Sequence, residues 1–200
     1  VDLIEHSSLT DDRVLVVYLP DCHESLAGII AGRIRERYYR PVFVLTRAED
    51  GVKGSGRSIE TYSMFEEMSK CKELYTKYGG HPMAAGLSLP EENLELFREQ
   101  LNRESGLSDQ DFTKKVWIDV PMPVSYVTEA LIEELHLLEP FGTGNEKPCF
   151  AQKGLTIRKK YIIGRNRNVL KLLLADETGR TADAILFSGA EEADREMETG

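Results

Sequence analysis

The sequence predicts an α/β domain, with a mainly parallel sheet and flanking helices, followed by a small β-barrel for which an oligonucleotide-binding (OB) barrel is the leading candidate. Two nearly continuous apolar runs, residues 14–19 and 42–46, flank a stretch with helical spacing, which is typical of a strand–helix–strand unit. Residues 102–113 are polar and lack periodicity, as in a linker. Three further apolar segments separated by turn residues are short enough for antiparallel strands: residues 150–157, 169–175 and 181–187.

Composition narrows the class of protein. A chain of 200 residues with 41% hydrophobic residues can bury a core of its own, and it contains no apolar stretch long enough to cross a membrane. The three cysteines are far apart and form no CxxC pair, so we expect neither a zinc site nor a disulfide framework, and a reducing cytoplasm is the default. The net charge of −9 argues against a generic basic nucleic-acid binder, although a local basic groove stays compatible with it.

The first half alternates strands and helices. After strand 14–19, Asp21 or Ser25 could cap a helix that runs to about residue 39, and Pro41 stops it before strand 42–46. Short joints between these elements predict a parallel pair of strands with a right-handed crossover. The next predicted elements are a glycine-rich loop at 51–58, a helix at 64–78 that ends at Gly79-Gly80, a strand at 84–89 and a helix after Pro90.

The second half is mostly β. Residues 116–120 alternate as in a strand, residues 127–138 have the pattern of a helix, and three short strands follow. The last residues are acidic and add no closing strand, so we expect an incomplete barrel and a chain that is a fragment. The predicted domains are therefore 1–107 and 108–200.

The segment Gly54-Ser-Gly-Arg-Ser58 has the composition of an anion site. Glycines let the backbone approach a ligand closely, and an arginine offers a bidentate fork to phosphate. The spacing matches neither a dinucleotide fingerprint nor a Walker loop. On the residues alone, an ordinary turn is as good an interpretation.

The segment from Tyr78 to Gly86, YGGHPMAAG, is more specific. Its two glycines would present His81 at the rim of the sheet, where an imidazole can bind phosphate or assist proton transfer. His23, in the loop before the first long helix, offers the same chemistry. For either histidine, a hydrogen-bonded structural role is the alternative.

Two features of the remaining charged residues bear on function. No carboxylates cluster with histidines in a metal-binding pattern, which suggests that any hydrolytic centre lies outside this chain. Residues 151–171 hold seven lysines and arginines and no acid, a local positive field within an acidic chain. A solvated basic face is the alternative interpretation of that window.

Four motifs, taken in order, resemble the DHHA1 and OB regions of the RecJ family, single-strand-specific DNA exonucleases of the DHH phosphoesterase superfamily. They are HESLAGIIAGR from His23, followed by Tyr39-Arg-Pro41; GSGRS from Gly54; GGHPMAAG from Gly79; and LEPFGTGNEKP from Leu138.

The resemblance implies a role for each half. A separate DHH domain would bind Mn²⁺ or Mg²⁺ and activate water, so this chain alone should hold no cofactor and hydrolyse nothing. The DHHA1 domain would bind substrate phosphate, with His81 as the catalytic residue near the scissile bond. The implied phosphate-binding residues are Ser55, Gly56, Arg57, Ser58, Gly79, Gly80 and His23. Family members often carry alanine at the position of Gly56, so that substitution is expected to be tolerated.

The barrel would guide single-stranded DNA, with Tyr161 as a stacking platform and Lys159, Lys160, Arg165 and Arg167 along the backbone. A single-strand-binding protein or a helicase is a further expected partner, and a membrane is not. Two alternatives stay open: a small DHH/DHHA1 phosphodiesterase for short oligonucleotides or cyclic dinucleotides, which would not need the barrel, and a non-catalytic module that binds nucleic acid or protein, which would need neither Arg57 nor His81.

Overall fold

A computed structural model describes residues 2–187 and 189–199. It divides the chain into two units, Val1–Lys115 and Val116–Gly200, each with a sheet of its own. Within the described residues, none of the helices combines the length and the apolar character that crossing a bilayer requires.

The first unit contains a five-stranded sheet in the order β1-β2-β3-β5-β4. The predicted parallel pairing of the first two strands is confirmed, and so is the α/β class. The other three pairings are antiparallel, so the parallel character is confined to one edge. The strands are β1 Leu15–Tyr18, β2 Val42–Ala48, β3 Gly51–Arg57, β4 Lys77–His81 and β5 Ala84–Leu89.

Helices cover the two faces of this sheet unequally. On one face, Ala27, Ala31 and Ile34 of α2 pack against apolar side chains of β1 and β2. On the other face, α3 and α4 enclose the larger core, in which Phe43 meets Phe97 edge to face at 5.2 Å between ring centroids. The helices are α1 Asp2–Glu5, α2 Glu24–Tyr38, α3 Met64–Ser69 and α4 Leu94–Glu104.

Two predicted elements of the first unit are wrong. Residues 51–57 form strand β3, which is hydrogen-bonded to β2 and β5, and are not a loop. The predicted helix 64–78 ends at Ser69, and Lys77–His81 forms the edge strand β4. Gly80 therefore does not end a helix. It lies against β5, where a β-carbon would meet the backbone of Ala84 and Ala85, and glycine is the residue that fits this close approach.

The predicted linker is also wrong, because residues 102–112 fold onto the first unit. The side-chain oxygen of Asn102 accepts hydrogen bonds from the backbone N–H of Arg13 at 2.8 Å and of Val14 at 2.9 Å. The ring of Phe112 lies beside the guanidinium groups of Arg13 and Arg40, at 5.9 and 5.1 Å from its centroid. Contacts of this kind hold the segment in place.

The second unit is built on an antiparallel three-stranded sheet in the order β10-β9-β8, which fits the OB-like class. Leu170 and Leu172 of its central strand pack with Ala190. The predicted strand 116–120 is reduced to β6 at its end, and the acidic terminal segment forms a helix. The elements are β6 Val120–Pro121, α5 Glu129–His136, β7 Phe150–Ala151, β8 Thr156–Ile163, β9 Val169–Ala175, β10 Thr181–Leu186 and α6 Ala190–Glu196.

Candidate nucleic-acid interface

The alternation of strand β3 separates the GSGRS motif into two sets. Side chains at 53, 55 and 57 point towards the face that carries α2: Lys53 forms an ion pair with Glu24 at 3.0 Å, and a β-carbon on Gly28 would lie 3.7 Å from that of Ser55. Residues 54, 56 and 58 point the other way. Only the first set can reach a ligand on the α2 face.

Gly56 and Ser58 are therefore not on the predicted phosphate site. Ser58 is 1% exposed, and its hydroxyl donates a hydrogen bond to the backbone oxygen of Tyr62. A β-carbon on Gly56 would clash with Met64 and come 2.9 Å from a ring carbon of Phe43, so the structure predicts that alanine at this position is destabilising, contrary to the tolerance that the family resemblance implies.

Cross-strand register extends the α2 face over β5 and β4. Ala85 and Leu87 are buried in the larger core, so their neighbours in β5 face the α2 side. Three rows of residues result, each crossing β3, β5 and β4 in that order: Lys53-Ser88-Lys77, Ser55-Gly86-Gly79 and Arg57-Ala84-His81.

These rows form a shallow platform with cations at both ends. The middle row is made of small residues: a β-carbon on Gly79 would meet nothing within 4 Å, and one on Gly86 would meet only a backbone oxygen at 3.9 Å. Arg57 and His81 lie at one end, and Lys53 and Lys77 lie at the other. We call this surface, the nine residues of the three rows, the open platform.

Arg57 is held at the edge of helix α2. Its Nη1 donates a hydrogen bond to the backbone oxygen of Gly56 at 2.7 Å, and its Nη2 would lie 2.9 Å from a β-carbon placed on Gly28. Glycine at position 28 therefore makes room for the guanidinium. In the part of the chain that the structure describes, no carboxylate lies within ion-pair distance of Arg57, so its charge is available to a ligand.

The two histidines differ in their contacts. His81 is exposed at the end of β4, in the same row as Arg57 and one strand removed from it, which places their Cα atoms about 10 Å apart. His23 caps α2, because its Nδ1 accepts a hydrogen bond from the backbone N–H of Ser25 at 3.3 Å. The caps predicted at Asp21 or Ser25 are wrong, and His23 has a structural role whether or not it also meets a ligand.

A cavity of about 410 Å³ opens over the lysine end of the open platform. Its walls include Glu24 and Ser25 from the first turn of α2, together with Lys53, Ser55 and Lys77. Sequence reasoning missed both lysines, as well as Ser88. The period of two along β3 and β5 was the signal that could have found them, once residues 51–57 were recognised as a strand.

Groups with shifted pKa values lie away from the open platform. Burial raises the pKa of the Cys71 thiol, which contacts the hydroxyl of Tyr75 at 3.0 Å in the larger core. Burial likewise raises the pKa of the Tyr75 and Tyr62 hydroxyls. Cys71 therefore stays a protonated thiol at neutral pH and is not a nucleophile.

No group of three or more His, Cys, Asp or Glu side chains within 2–187 and 189–199 comes together in a way that could hold a metal ion. The donors present in these residues thus do not fit a divalent metal centre of this chain's own.

In the second unit, the basic cluster is also divided by a strand. Lys159 and Tyr161 are exposed on one face of the sheet, opposite Leu173 and Lys171 of β9. Lys160 points to the other face, where its Nζ contacts the backbone oxygen of Met197 at 2.8 Å and a carboxylate oxygen of Asp194 at 2.9 Å. Lys160 stabilises helix α6 and is not available as a backbone contact, contrary to the expectation for it.

Arg165 and Arg167 lie in the turn between β8 and β9, and both are exposed. Arg167 has a φ of 52°, in the left-handed region that favours glycine, and its N–H donates to the backbone oxygen of Gly164 at 3.1 Å. The turn therefore presents two cations at one end of the sheet.

Comparison with known proteins agrees with this architecture. The DHHA1 domain model matches residues 11–105 and the RecJ OB domain model matches residues 118–200, so the first unit is a DHHA1 domain and the second carries an OB-type sheet. Taken together with the relatives that follow, the chain belongs to the RecJ family.

Two curated relatives are the single-stranded-DNA-specific exonucleases RecJ of Bacillus subtilis and Haemophilus influenzae. Each is 32% identical to this chain, over 96% and 87% of it, but the match covers only 25% and 32% of the relatives. The crystal structure of RecJ from Thermus thermophilus in complex with Mn²⁺ has the same fold, with a TM-score of 0.72, 24% identity, and coverage of 92% of this chain and 31% of that one. This chain thus spans about a quarter to a third of the proteins that it resembles.

Proposed function

We propose that this chain is the substrate-binding portion of a metal-dependent 5′→3′ single-stranded-DNA exonuclease of the RecJ type. The observation that carries the proposal is the open platform, on which Ser55, Arg57 and His81 share one accessible face. The first unit would bind the substrate phosphate and the second unit would bind nucleic acid.

The chemistry of the arginine end suits a terminal phosphate. The Arg57 guanidinium would make charge-assisted hydrogen bonds to the 5′ phosphate, and the Ser55 hydroxyl would donate to the same group. His81 would lie near the scissile phosphate and stabilise the charge that develops there. Gly79 contributes a floor without side chains, so a sugar–phosphate chain can lie close to the sheet.

The metal centre would belong to a separate DHH domain, as the family resemblance implies. That domain would supply Mn²⁺ or Mg²⁺ and the activated water, and the residues of this chain would position the strand. A single-strand-binding protein or a helicase would be a partner of the whole enzyme in DNA repair and recombination, which would take place in the cytoplasm.

The second unit would guide the strand through Lys159, Tyr161 and the two arginines of the β8–β9 turn. Lysine and arginine neutralise backbone phosphates, and a tyrosine ring stacks on any base. In this arrangement Lys171, which is paired with Asp183 at 2.8 Å, contributes less charge than the sequence indicates.

Two other functions use the same scaffold. A small phosphodiesterase for short oligonucleotides or cyclic dinucleotides would not need the second unit, and the match of the OB domain model to residues 118–200 favours the exonuclease. A non-catalytic binding module would need neither Arg57 nor His81, so their effects on activity distinguish it from the enzyme.

The test compares the chain with and without a DHH domain. The 200-residue chain with Mn²⁺ should not degrade single-stranded DNA, and a fusion to the DHH domain of a RecJ relative should do so from the 5′ end. In the fusion, Arg57→Ala should lower kcat/KM about 100-fold, because a clamp on phosphate is lost. Arg33→Ala, at an exposed arginine of α2 that pairs with Glu36, is the matched control and should have no effect. Equal activity of the Arg57 and Arg33 variants would contradict the proposal.

A further inference from the structure

The lysine end of the open platform has the features of an anion site, although no motif marks it. Lys53 and Lys77 lie in one cross-strand row with Ser88 between them, on either side of strand β5. Their Cα atoms are therefore about 10 Å apart. Both lysines and the hydroxyl-bearing Ser25, Ser55 and Ser88 line the cavity of about 410 Å³.

This cavity is distinct from the arginine end. Neither Arg57 nor His81 lines it. Lys53 and Arg57 are four positions apart in β3, which corresponds to about 13 Å along an extended strand. The two ends of the open platform can therefore hold different groups of one extended ligand.

One wall of the cavity is acidic. Glu24, in the first turn of α2, forms an ion pair with Lys53 at 3.0 Å, and both side chains are more than half exposed. An exposed pair of this kind is weak, so an incoming anion can replace the carboxylate as the partner of Lys53. Among the described residues, Lys77 has no carboxylate within ion-pair distance.

We propose that Lys53 and Lys77 bind a second backbone phosphate of the same single strand, downstream of the 5′ phosphate at Arg57. This inference rests on the function proposed above. Lysine suits such a role because it acts as a mobile point charge and does not demand bidentate geometry. The small residues of the middle row let the intervening nucleotide cross the sheet, and the two cationic ends together fix the direction of the strand.

The lysine subsite predicts a particular salt dependence. A 5′-phosphorylated oligothymidylate of about twelve nucleotides, labelled at its 3′ end, would be titrated with the 200-residue chain at several salt concentrations by fluorescence anisotropy. Losing the contact to one phosphate should reduce the slope of log K against log[salt] by about 0.7, so the double variant Lys53→Met/Lys77→Met, which loses the single phosphate that both lysines bind, should have a slope smaller by about 0.7. Lys72→Met, at an exposed lysine outside the open platform, should leave the slope unchanged.

A substitution of Glu24 should change the affinity for the oligonucleotide in the opposite direction. Glu24→Gln removes the carboxylate that competes with phosphate for Lys53 and should tighten binding of the same oligonucleotide, by about two- to fivefold. A merely structural role of the Lys53–Glu24 pair predicts that both partners weaken binding when they are replaced. Weaker binding by Glu24→Gln would therefore overturn the proposal.

Ligand length separates this inference from the proposed function. Thymidine 5′-monophosphate, titrated by NMR chemical shifts, cannot reach from Arg57 to the lysines. Arg57→Ala should weaken both ligands, whereas the double lysine variant should weaken only the oligonucleotide. Loss of monophosphate binding in the lysine variant, or an unchanged salt slope with the oligonucleotide, would reject the lysine subsite. Neither result would affect the phosphate-binding role proposed for Arg57. An unaltered affinity of Arg57→Ala for both ligands would reject the proposed function.

Discussion

Strand β3 in the first unit and strand β8 in the second are two basic segments of this chain. Both strands place neighbouring residues of a polar cluster on opposite faces of their sheet. In β3, Ser55 and Arg57 face the open platform, whereas Gly56 packs against the core. In β8, Lys159 and Tyr161 are exposed, whereas Lys160 is bonded to α6. Both clusters are continuous in sequence, and both are divided in the fold.

The division follows from strand geometry. Successive side chains of a strand point to opposite faces, so a cluster of consecutive polar residues contributes only every second member to one surface. In a loop or at a helix terminus the whole cluster could converge on one ligand. The difference between the two segments lies in what covers the second face: a packed apolar core in the first unit and a short acidic helix in the second.

Gly56→Ala tests the closed face of β3 and has the largest expected effect on stability. A β-carbon here meets Met64 and the Phe43 ring, so overpacking should lower the free energy of unfolding by about 2 kcal/mol. Gly79→Ala is the matched control, since its β-carbon would meet nothing within 4 Å. Urea denaturation of both variants would measure the difference.

The two glycine variants define the faces of the sheet. If Gly79→Ala proved as destabilising as Gly56→Ala, the middle row of the open platform would be covered rather than accessible, and the phosphate path across it would be untenable. A neutral Gly56→Ala would show that Met64 and Phe43 can move aside for a methyl group, and that the core is less tightly packed against this face of β3 than the contacts indicate.

Much of the fold followed from sequence periodicity. The apolar runs that became β1 and β2, with α2 between them, were predicted because a crossover unit buries both faces of its strands. Strands β9 and β10 were predicted from alternation and turn residues. Prediction failed where glycine was taken as a sign of a loop or of the end of a helix. In β3 and β4 the glycines are instead used for close packing between strands and for an uncovered surface.

For the candidate site, the sequence indicated some of the residues but not their arrangement. Ser55, Arg57 and His81 come together on one face, but their spacing in sequence does not reveal the shared row, which depends on β5 lying between β3 and β4. Lys53 and Lys77 belong to no motif, and only the register brings them together. Lys160 and Asp194, which form an ion pair, lie more than thirty residues apart in the sequence, so no local sequence pattern predicts their contact.

Lys160→Met examines the second segment, with a smaller effect. The side chain is held by Asp194 and by backbone oxygens at the end of α6, and it is partly exposed, so its replacement should lower the free energy of unfolding by about 1 kcal/mol. Lys159→Met, at the exposed neighbour, should leave stability unchanged and reduce the salt slope of DNA binding by about 0.7. Thermal denaturation and the anisotropy titration measure the two quantities.

The two lysine variants test whether the faces of β8 are divided in the same way as those of β3. Should Lys160→Met alter the salt slope while Lys159→Met does not, the roles assigned to the two faces of β8 would be reversed. The division by strand alternation would then hold only for β3.

The smallest effect is expected at Arg167, which belongs to neither face because it lies in the β8–β9 turn. A left-handed conformation is unfavourable for arginine, so Arg167→Gly should raise the free energy of unfolding, by at most about 1 kcal/mol. The same change removes an exposed cation and should reduce the salt slope of DNA binding by about 0.7. Opposite signs for stability and binding would indicate that the charge at this turn is kept for the nucleic acid.

Arg165→Gln, at the neighbouring turn arginine that is not in the left-handed region, is the control and should change the slope alone. A rise in stability with no change in slope would return this turn to a solvated basic surface, and the path of the strand in the second unit would then depend on Lys159 and Tyr161.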